Sequence, residues 1–596
     1  MRPLEPLVPY LLPRRRRLAV GAACIMLGSL AGAASPLIVR TAIDAMAIRV
    51  TWGTIALYAG AVTAVAVVQG AFRFLQRKLV FEAARDVETD LRDDLYARLA
   101  QQPPAFFDAL PTGDVMSRFT NDLNAVRMML AGGIVYGFST LVTLLVSIGF
   151  MAWIDLTLTA WALLPLPLVT LAVRRVGRRI HDRSQAAQAA LAGVTVAVQE
   201  NLSGLRVVRA YGREAGERER FRERSEAYVG ENLRLAKLQA ILNPTLGLLL
   251  GVALLIVIWQ GGRRVALGTL TLGDLVAFMM YLGMISWPLI AFGWIANLFQ
   301  RASAAMGRLG AILFAVPDID DRAARPDARV TAGAIAFRDV TFRYGPGRPA
   351  VLERFSLDIP AGTTLGITGP TGGGKTSLVS LIPRLHDAES GDLEVDGHPI
   401  RTIPLGELRG AVGVAPQEPF LFSETLRANI AFGLAARDGG NARQDGGDVG
   451  SERSRLSVEE AASMAGLDRD VASFPLGLET PIGERGITLS GGQKQRAALA
   501  RALVADPRIL ILDDAFSSVD VDTEERILSR LREFAETRTT IVVSHRVSTL
   551  RWADRIVVLD AGRIVEEGSH EELVAKDGWY AALDRRQRLE AEIERA

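Results

Sequence analysis

A chain of 596 residues is too long for one compact domain. Its net charge of +2 does not suggest a dominant nucleic-acid role, and 49% hydrophobic residues with a positive mean hydropathy point to a membrane protein. The lone cysteine, Cys24, excludes a disulfide within the chain and fits a reducing, cytoplasmic side.

The first half carries six apolar stretches of spanning length, near 18–39, 54–75, 131–153, 156–173, 244–259 and 275–299. The run at 18–39 follows Arg14 to Arg17 but is too long for a signal-peptide core and has no clean cleavage site, so it is read as the first span. Between the second and third stretches, Val87, Leu91, Leu95 and Leu99 repeat every four residues amid charges. This is an amphipathic helix that continues the second span outside the lipid. A second long, charged, helical segment separates the fourth and fifth stretches.

With six spans, Arg14–Arg17, Arg73, Arg77, Lys78, Arg174, Arg175, Arg178, Arg179, Arg234, Lys237, Arg301 and Arg308 all fall on one side, which is the cytoplasm. Both termini and both long loops are then cytoplasmic. Arg263 and Arg264 are exceptions. Gln69, Asn243, Tyr281, Trp287, Trp294 and Asn297 lie inside spans and are candidates for a transport path. The ordinary alternative is hydrogen bonding between helices or an aromatic belt at the interface. Gly28 and Gly32 form a GxxxG, a weak packing signal.

The expected fold is therefore a six-helix transmembrane domain over 1–315 with long cytoplasmic extensions. A polar linker, 316–333, leads to a soluble α/β nucleotide-binding domain over 334–596, where apolar strands alternate with helices. Residues 438–454 are rich in Gly, Asp and Arg and read as a mobile surface insertion.

Gly369-Pro370-Thr371-Gly372-Gly373-Gly374-Lys375-Thr376 fits GxxxxGK[ST], after an apolar strand and before a helix that opens with Ser377. Glycines let successive backbone N–H groups turn inward around phosphates, and the helix start adds partial positive charge. Lys375 suits the β and γ phosphates, and the Thr376 hydroxyl suits Mg2+. Asp513 ends the apolar strand 509–512, where it can hold the same ion. Tyr344, on a strand ahead of the loop, can stack on adenine, although a strand tyrosine is more often core or surface. Gln417 follows another apolar strand and can ligate Mg2+ or place a water. His545 ends a further strand and can touch a γ phosphate, or simply be a satisfied core histidine.

The order of phosphate loop, Gln417, Leu489-Ser490-Gly491-Gly492-Gln493, strand to Asp513, then His545 resembles the ATP-binding cassette (ABC) ATPases. The membrane half is similar to the exporters of that family. Phe106-Phe107 and the stretch from Thr112 to Asp122 look like their first intracellular loop, Glu200 to Tyr211 like their second, and Thr480 to Gly486 like the stretch ahead of the signature. The resemblance implies a bacterial half-transporter in the inner membrane, whose chains pair so that two ATP molecules lie between cassettes. Leu489, Ser490, Gly491, Gly492 and Gln493 would then grip in trans the ATP held by the partner's phosphate loop.

The family's catalytic Glu after the strand aspartate is here Asp514, one methylene short. Loss of a well-placed general base costs roughly 10²–10⁴-fold in rate. A weak base beside an intact signature resembles the slow-site subunit of a heterodimeric exporter of amphipathic or hydrophobic solutes, drugs or lipids. A homodimeric exporter or lipid flippase, and a regulatory ATP-binding subunit, are the alternatives.

Overall fold

The computed structural model describes residues 4–345, 347–434, 456–483 and 489–595. The chain divides into two compact units, residues 1–100 with 113–315, and residues 101–112 with 316–596.

The first unit is helical. Its main elements are α1 (Arg15–Ile48), α2 (Trp52–Ala100), then α4 (Ile134–Ile154), α5 (Leu156–Leu163), α6 (Leu166–Ser203), α7 (Glu214–Ala266) and α8 (Leu272–Leu313); α3 (Pro104–Ala109) belongs to the second unit. At 1.5 Å per residue, the 49 residues of α2 run about 74 Å, more than twice the ~30 Å hydrocarbon core. The extension beyond the lipid expected from the four-residue repeat corresponds to its C-terminal half, where Val87, Leu91, Leu95 and Leu99 are all buried.

Among the described residues five helical stretches are long and apolar enough to cross a membrane: Glu5–Ile48, Trp52–Ala100, Thr112–Ile154, Gly247–Ala266 and Leu272–Leu313. The fourth expected span, 156–173, is not one of them. It is divided between α5 and α6 by a turn at Leu164-Pro165, so α5 alone is only eight residues long.

Small residues set the α1–α2 spacing. A Cβ on Gly21 would stand 2.7 Å from Val80, one on Gly28 3.2 Å from Phe72, and one on Gly32 2.2 Å from the Gln69 amide. Gln69 thus packs against a glycine. Tyr281 is fully buried and donates to the Ala33 carbonyl at 2.7 Å, so it joins α8 to α1. Trp294 meets Tyr136 edge-on at 5.5 Å. Trp287 is exposed, Asn297 half-buried, and the side chain of Asn243 lies outside the described residues. Of the expected path residues, Tyr281 has a plain packing role.

The helix ends away from the long extensions carry a polar knot. Arg40 pairs with Asp274 at 2.6 Å, and Asp44 accepts from Thr271 at 2.9 Å and from the Gly273 N–H at 3.0 Å. Arg264, one of the two exceptions to the charge rule, forms an ion pair with Asp155, which offsets its charge.

The second unit carries two sheets. One is antiparallel, in the order β2 (Leu352–Ile359), β1 (Ile335–Phe342), β4 (Ser390–Val395), β5 (His398–Pro399). The other has the order β10 (Arg563–Gly568), β9 (Arg555–Asp560), β3 (Thr364–Thr368), β8 (Thr539–Val543), β7 (Ile509–Asp513), β6 (Val412–Ala415). From β9 to β6 this sheet is parallel, and β3, β7 and β8 are buried along their whole length. Such continuously buried strands are what a sheet covered on both faces demands. Helices α9 (Lys375–Leu381), α10 (Gly491–Val504) and α11 (Val521–Ala535) belong to the same unit.

Residues 316–333 are pinned along this unit rather than standing free as a spacer. Arg325 N–H donates to the Thr402 carbonyl at 2.7 Å, Asp321 accepts from the Leu405 N–H at 2.7 Å, and Ala328 and Val330 are buried. Residues 101–112, kept with the membrane half in the sequence reading, cluster with the second unit. The expected insertion 438–454 lies outside the described residues.

Candidate nucleotide site

Ligands in parallel α/β sheets sit beyond the carboxyl ends of the strands. Here β3, β8, β7 and β6 are consecutive neighbours. Their carboxyl ends deliver, in that order, the phosphate loop, His545, Asp513 with Asp514, and Gln417. These groups line one cavity of about 550 Å³ with Tyr344, Thr371, Gly372, Gly373, Gly374, Lys375, Thr376, Ser377, Val351 and Val543. Sequence-remote side chains therefore meet because of strand order.

The loop's conformation demands glycine at its base. Gly369 has φ +139°, and a Cβ there would fall 2.0 Å from the Leu559 carbonyl oxygen. Gly369 and Pro370 form the back of the loop rather than the cavity wall. Their carbonyls accept from the Lys375 ammonium at 2.9 and 2.8 Å. Lys375 is buried, and burial lowers its pKa, opposed by Asp514 and Asp513. The Thr376 hydroxyl donates to Asp513 Oδ1 at 3.3 Å. Burial also raises the Asp513 carboxyl above the ordinary range. The Thr376 hydrogen bond opposes this, neighbouring Asp514 reinforces it, and Lys375 opposes it.

Asp514 extends the β7–β8 ladder, its N–H bonding the Val543 carbonyl at 2.9 Å, and then turns the chain at φ +49°. Aspartate tolerates that left-handed region better than most residues. His545 is anchored through its backbone carbonyl by Gln587 at 2.6 Å, and Gln587 also accepts from the Val547 N–H at 2.9 Å. Burial holds the His545 imidazole below its usual pKa, Lys375 lowers it further, and Asp514 opposes both. Gln417 is exposed at the cavity rim. The Tyr344 hydroxyl and Ser377 Oγ share a hydrogen bond of 2.8 Å.

The signature residues are elsewhere: none of Leu489, Ser490, Gly491, Gly492 and Gln493 lines the cavity. Ser490 is the N-cap of α10. Its Oγ accepts from the Gln493 N–H at 3.3 Å, and Gln493 Oε1 accepts from the Ser490 N–H at 2.9 Å. Leu489 and Gly492 are buried, while Ser490 and Gly491 are exposed. The helix start thus presents a hydroxyl and N–H groups outward, the arrangement that suits an anion.

Sequence reading missed how the signature is braced. The Gln493 amide donates to Asp470 at 2.7 Å, and Arg496 pairs with the same carboxylate at 2.7 Å. Gln495 bonds Ser517 Oγ at 2.6 Å and accepts from the Ser518 N–H at 2.9 Å. A Cβ on Gly492 would lie 2.7 Å from the Ser518 carbonyl. The stretch after Asp514 is thereby locked to the signature helix. No spacing rule flags these pairs. Residues 484–486, expected as part of the stretch ahead of the signature, lie outside the described residues.

Residues 18–289 match the ABC transporter transmembrane region, and residues 352–517 match the ABC transporter domain. A multidrug resistance-like ATP-binding protein of Escherichia coli is 37% identical over 552 residues, 92% of this chain and 90% of that protein. An ATP-dependent lipid A-core flippase of Syntrophus aciditrophicus is 32% identical over 98% of this chain and 94% of its own length. A solved structure of a bacterial Atm1-family ABC exporter with ATP bound superposes with a TM-score of 0.80 at 29% identity, covering 96% of this chain and 99% of that one. The chain belongs to the ABC transporter family, as an exporter half-transporter with a multi-pass membrane domain and a cassette that hydrolyses ATP to drive transport.

Proposed function

We propose that this chain is one subunit of a two-chain exporter, and that its own ATP site turns over slowly. The observation that carries this is Asp514 lining the nucleotide cavity where the family has glutamate, beside an outward-facing signature at Ser490 and Gly491. The solutes exported are amphipathic or hydrophobic, drugs or lipids, as the names of the multidrug and lipid A relatives suggest.

The residues fit ATP with Mg2+. Lys375 is a buried cation that donates to two loop carbonyls and lines the cavity that phosphates would fill. Thr376 and Asp513 supply adjacent oxygen donors, and Gln417 a third at the rim, the donor set of a hard cation. Mg2+ held by Thr376, Asp513 and Gln417 would supply charge neutralisation for the phosphates. Lys375 leaves the loop carbonyls for those phosphates. Gly372, Gly373, Gly374, Lys375, Thr376 and Ser377 offer backbone N–H groups at a helix start, and Thr371 lines the approach. Tyr344 offers a ring face to adenine. His545, kept neutral by burial, donates to the γ phosphate. Asp514 orients the attacking water from too far back.

Ser490, Gly491 and Gln493 act on the nucleotide of a second cassette, with Leu489 and Gly492 packing the turn that presents them. The partner is a second half-transporter with glutamate at the equivalent of Asp514. ATP closes the cassettes together, and hydrolysis at the competent site releases them.

Native mass spectrometry of the chain in lipid, purified alone and co-expressed with half-transporters encoded beside it, tests the pairing. A 1:1 heterodimer whose turnover exceeds that of the lone chain is expected. A stable homodimer with full, solute-stimulated ATPase would replace this reading with the homodimeric exporter or flippase.

A further inference from the structure

Tyr344 is held at a fixed ring angle. Phe342 meets it edge-on with centroids 4.9 Å apart, and His386 meets it edge-on at 5.3 Å and 82°. His386 also contacts the Phe342 ring at 5.5 Å. The Tyr344 hydroxyl is bonded to Ser377 in the first turn of α9.

His386 is in turn held by its own loop. The Arg384 guanidinium grips Asp387 with bonds of 2.9 and 3.2 Å and reaches the Asp320 carbonyl at 3.2 Å. The backbone on both sides of the imidazole is therefore clamped without help from Tyr344. His386 does not line the nucleotide cavity.

We propose that His386 is a positioning residue: its ring sets the angle of Tyr344 toward the nucleotide base. This rests on the reading of Tyr344 as the adenine-facing side chain. An edge-to-face contact of this kind is worth a few-fold in affinity.

The test is steady-state ATPase of the full chain in lipid, in its assembled complex, with thermal unfolding as the check on folding. Tyr344→Ala, His386→Ala and His386→Phe are compared. His386→Ala is expected to raise KM for ATP about 2–10-fold with kcat within about twofold. His386→Phe, which keeps the ring, is expected to restore KM. If Tyr344→Ala raises KM and His386→Ala does not, the positioning role is overturned alone. If Tyr344→Ala leaves KM unchanged, the adenine reading fails and this inference with it.

Discussion

Replacing Asp514 by glutamate tests the proposal that this residue limits hydrolysis at the chain's own site. The Asp514 Cα is fixed, because its N–H completes the β7–β8 ladder through Val543 at 2.9 Å. The substitution therefore moves the carboxylate outward by one C–C bond, about 1.5 Å, without moving the strand. A misplacement of about 1 Å at a reacting group costs on the order of 10²-fold. A shorter base that still carries its charge retains part of its effect, so Asp514→Glu is expected to raise the single-turnover rate about 10–100-fold. The backbone imposes a small cost, since glutamate accepts φ +49° less readily than aspartate, by about 1 kcal/mol. The assay is single-turnover hydrolysis with the full chain in excess over Mg·ATP, in lipid, with nucleotide affinity measured in parallel. Asp514→Asn serves as the control and is expected to abolish the residual rate. A rate unchanged in Asp514→Glu, with ATP affinity intact, would refute the argument that distance from the γ phosphate limits this site.

Three further outcomes are expected. Ser490→Ala should abolish turnover of the assembled exporter, although Ser490 stands outside its own chain's cavity; because it also removes a helix cap worth about 1 kcal/mol, Ser490→Gly, which caps nearly as well, must show the same loss in an ATPase assay. Asp513→Asn should raise the melting temperature of the nucleotide-free protein and eliminate the stabilisation by Mg·ATP seen in differential scanning fluorimetry. The sign follows because burial raises the Asp513 carboxyl pKa, so its contribution is favourable at low pH and lost as pH rises through that value, a loss the uncharged amide does not suffer. His545 has a lowered pKa, so its neutral form persists below the usual imidazole range and its stabilising contribution is lost only as pH falls through the depressed value. The acid limb of kcat that His545 contributes should therefore lie below pH 6.5, the ordinary imidazole value. An acid limb above it would contradict the burial of that ring.

The motifs of the cassette were legible because each is a local chemical necessity. A strand, a glycine loop and a helix start must be contiguous to cradle phosphate, and Gly369 against the Leu559 carbonyl shows why no other residue fits. Apolar length and arginine placement likewise reveal the spans, and the Val87–Leu99 repeat revealed the face that α2 buries. Hydropathy does not register the turn at Leu164-Pro165, which divides the fourth apolar stretch between α5 and α6. Arg264 looked like an exception to the charge rule because its partner Asp155 is more than a hundred residues away in sequence.

What the sequence determined by itself is the chemistry: an ATPase cassette, an apolar helical half, an intact signature and an aspartate where a longer base belongs. What only the tertiary structure decided is adjacency. The β3-β8-β7-β6 order brings Lys375, His545, Asp513, Asp514 and Gln417 into one cavity and leaves Ser490 outside it. The same packing places His386 against Tyr344 and locks Gln495 to Ser517 and Ser518. Local motifs encode what a residue can do, because backbone geometry and side-chain chemistry act within a few residues. Which residues do it together depends on strand order and helix packing, which join positions far apart in the chain and leave no periodic trace in it.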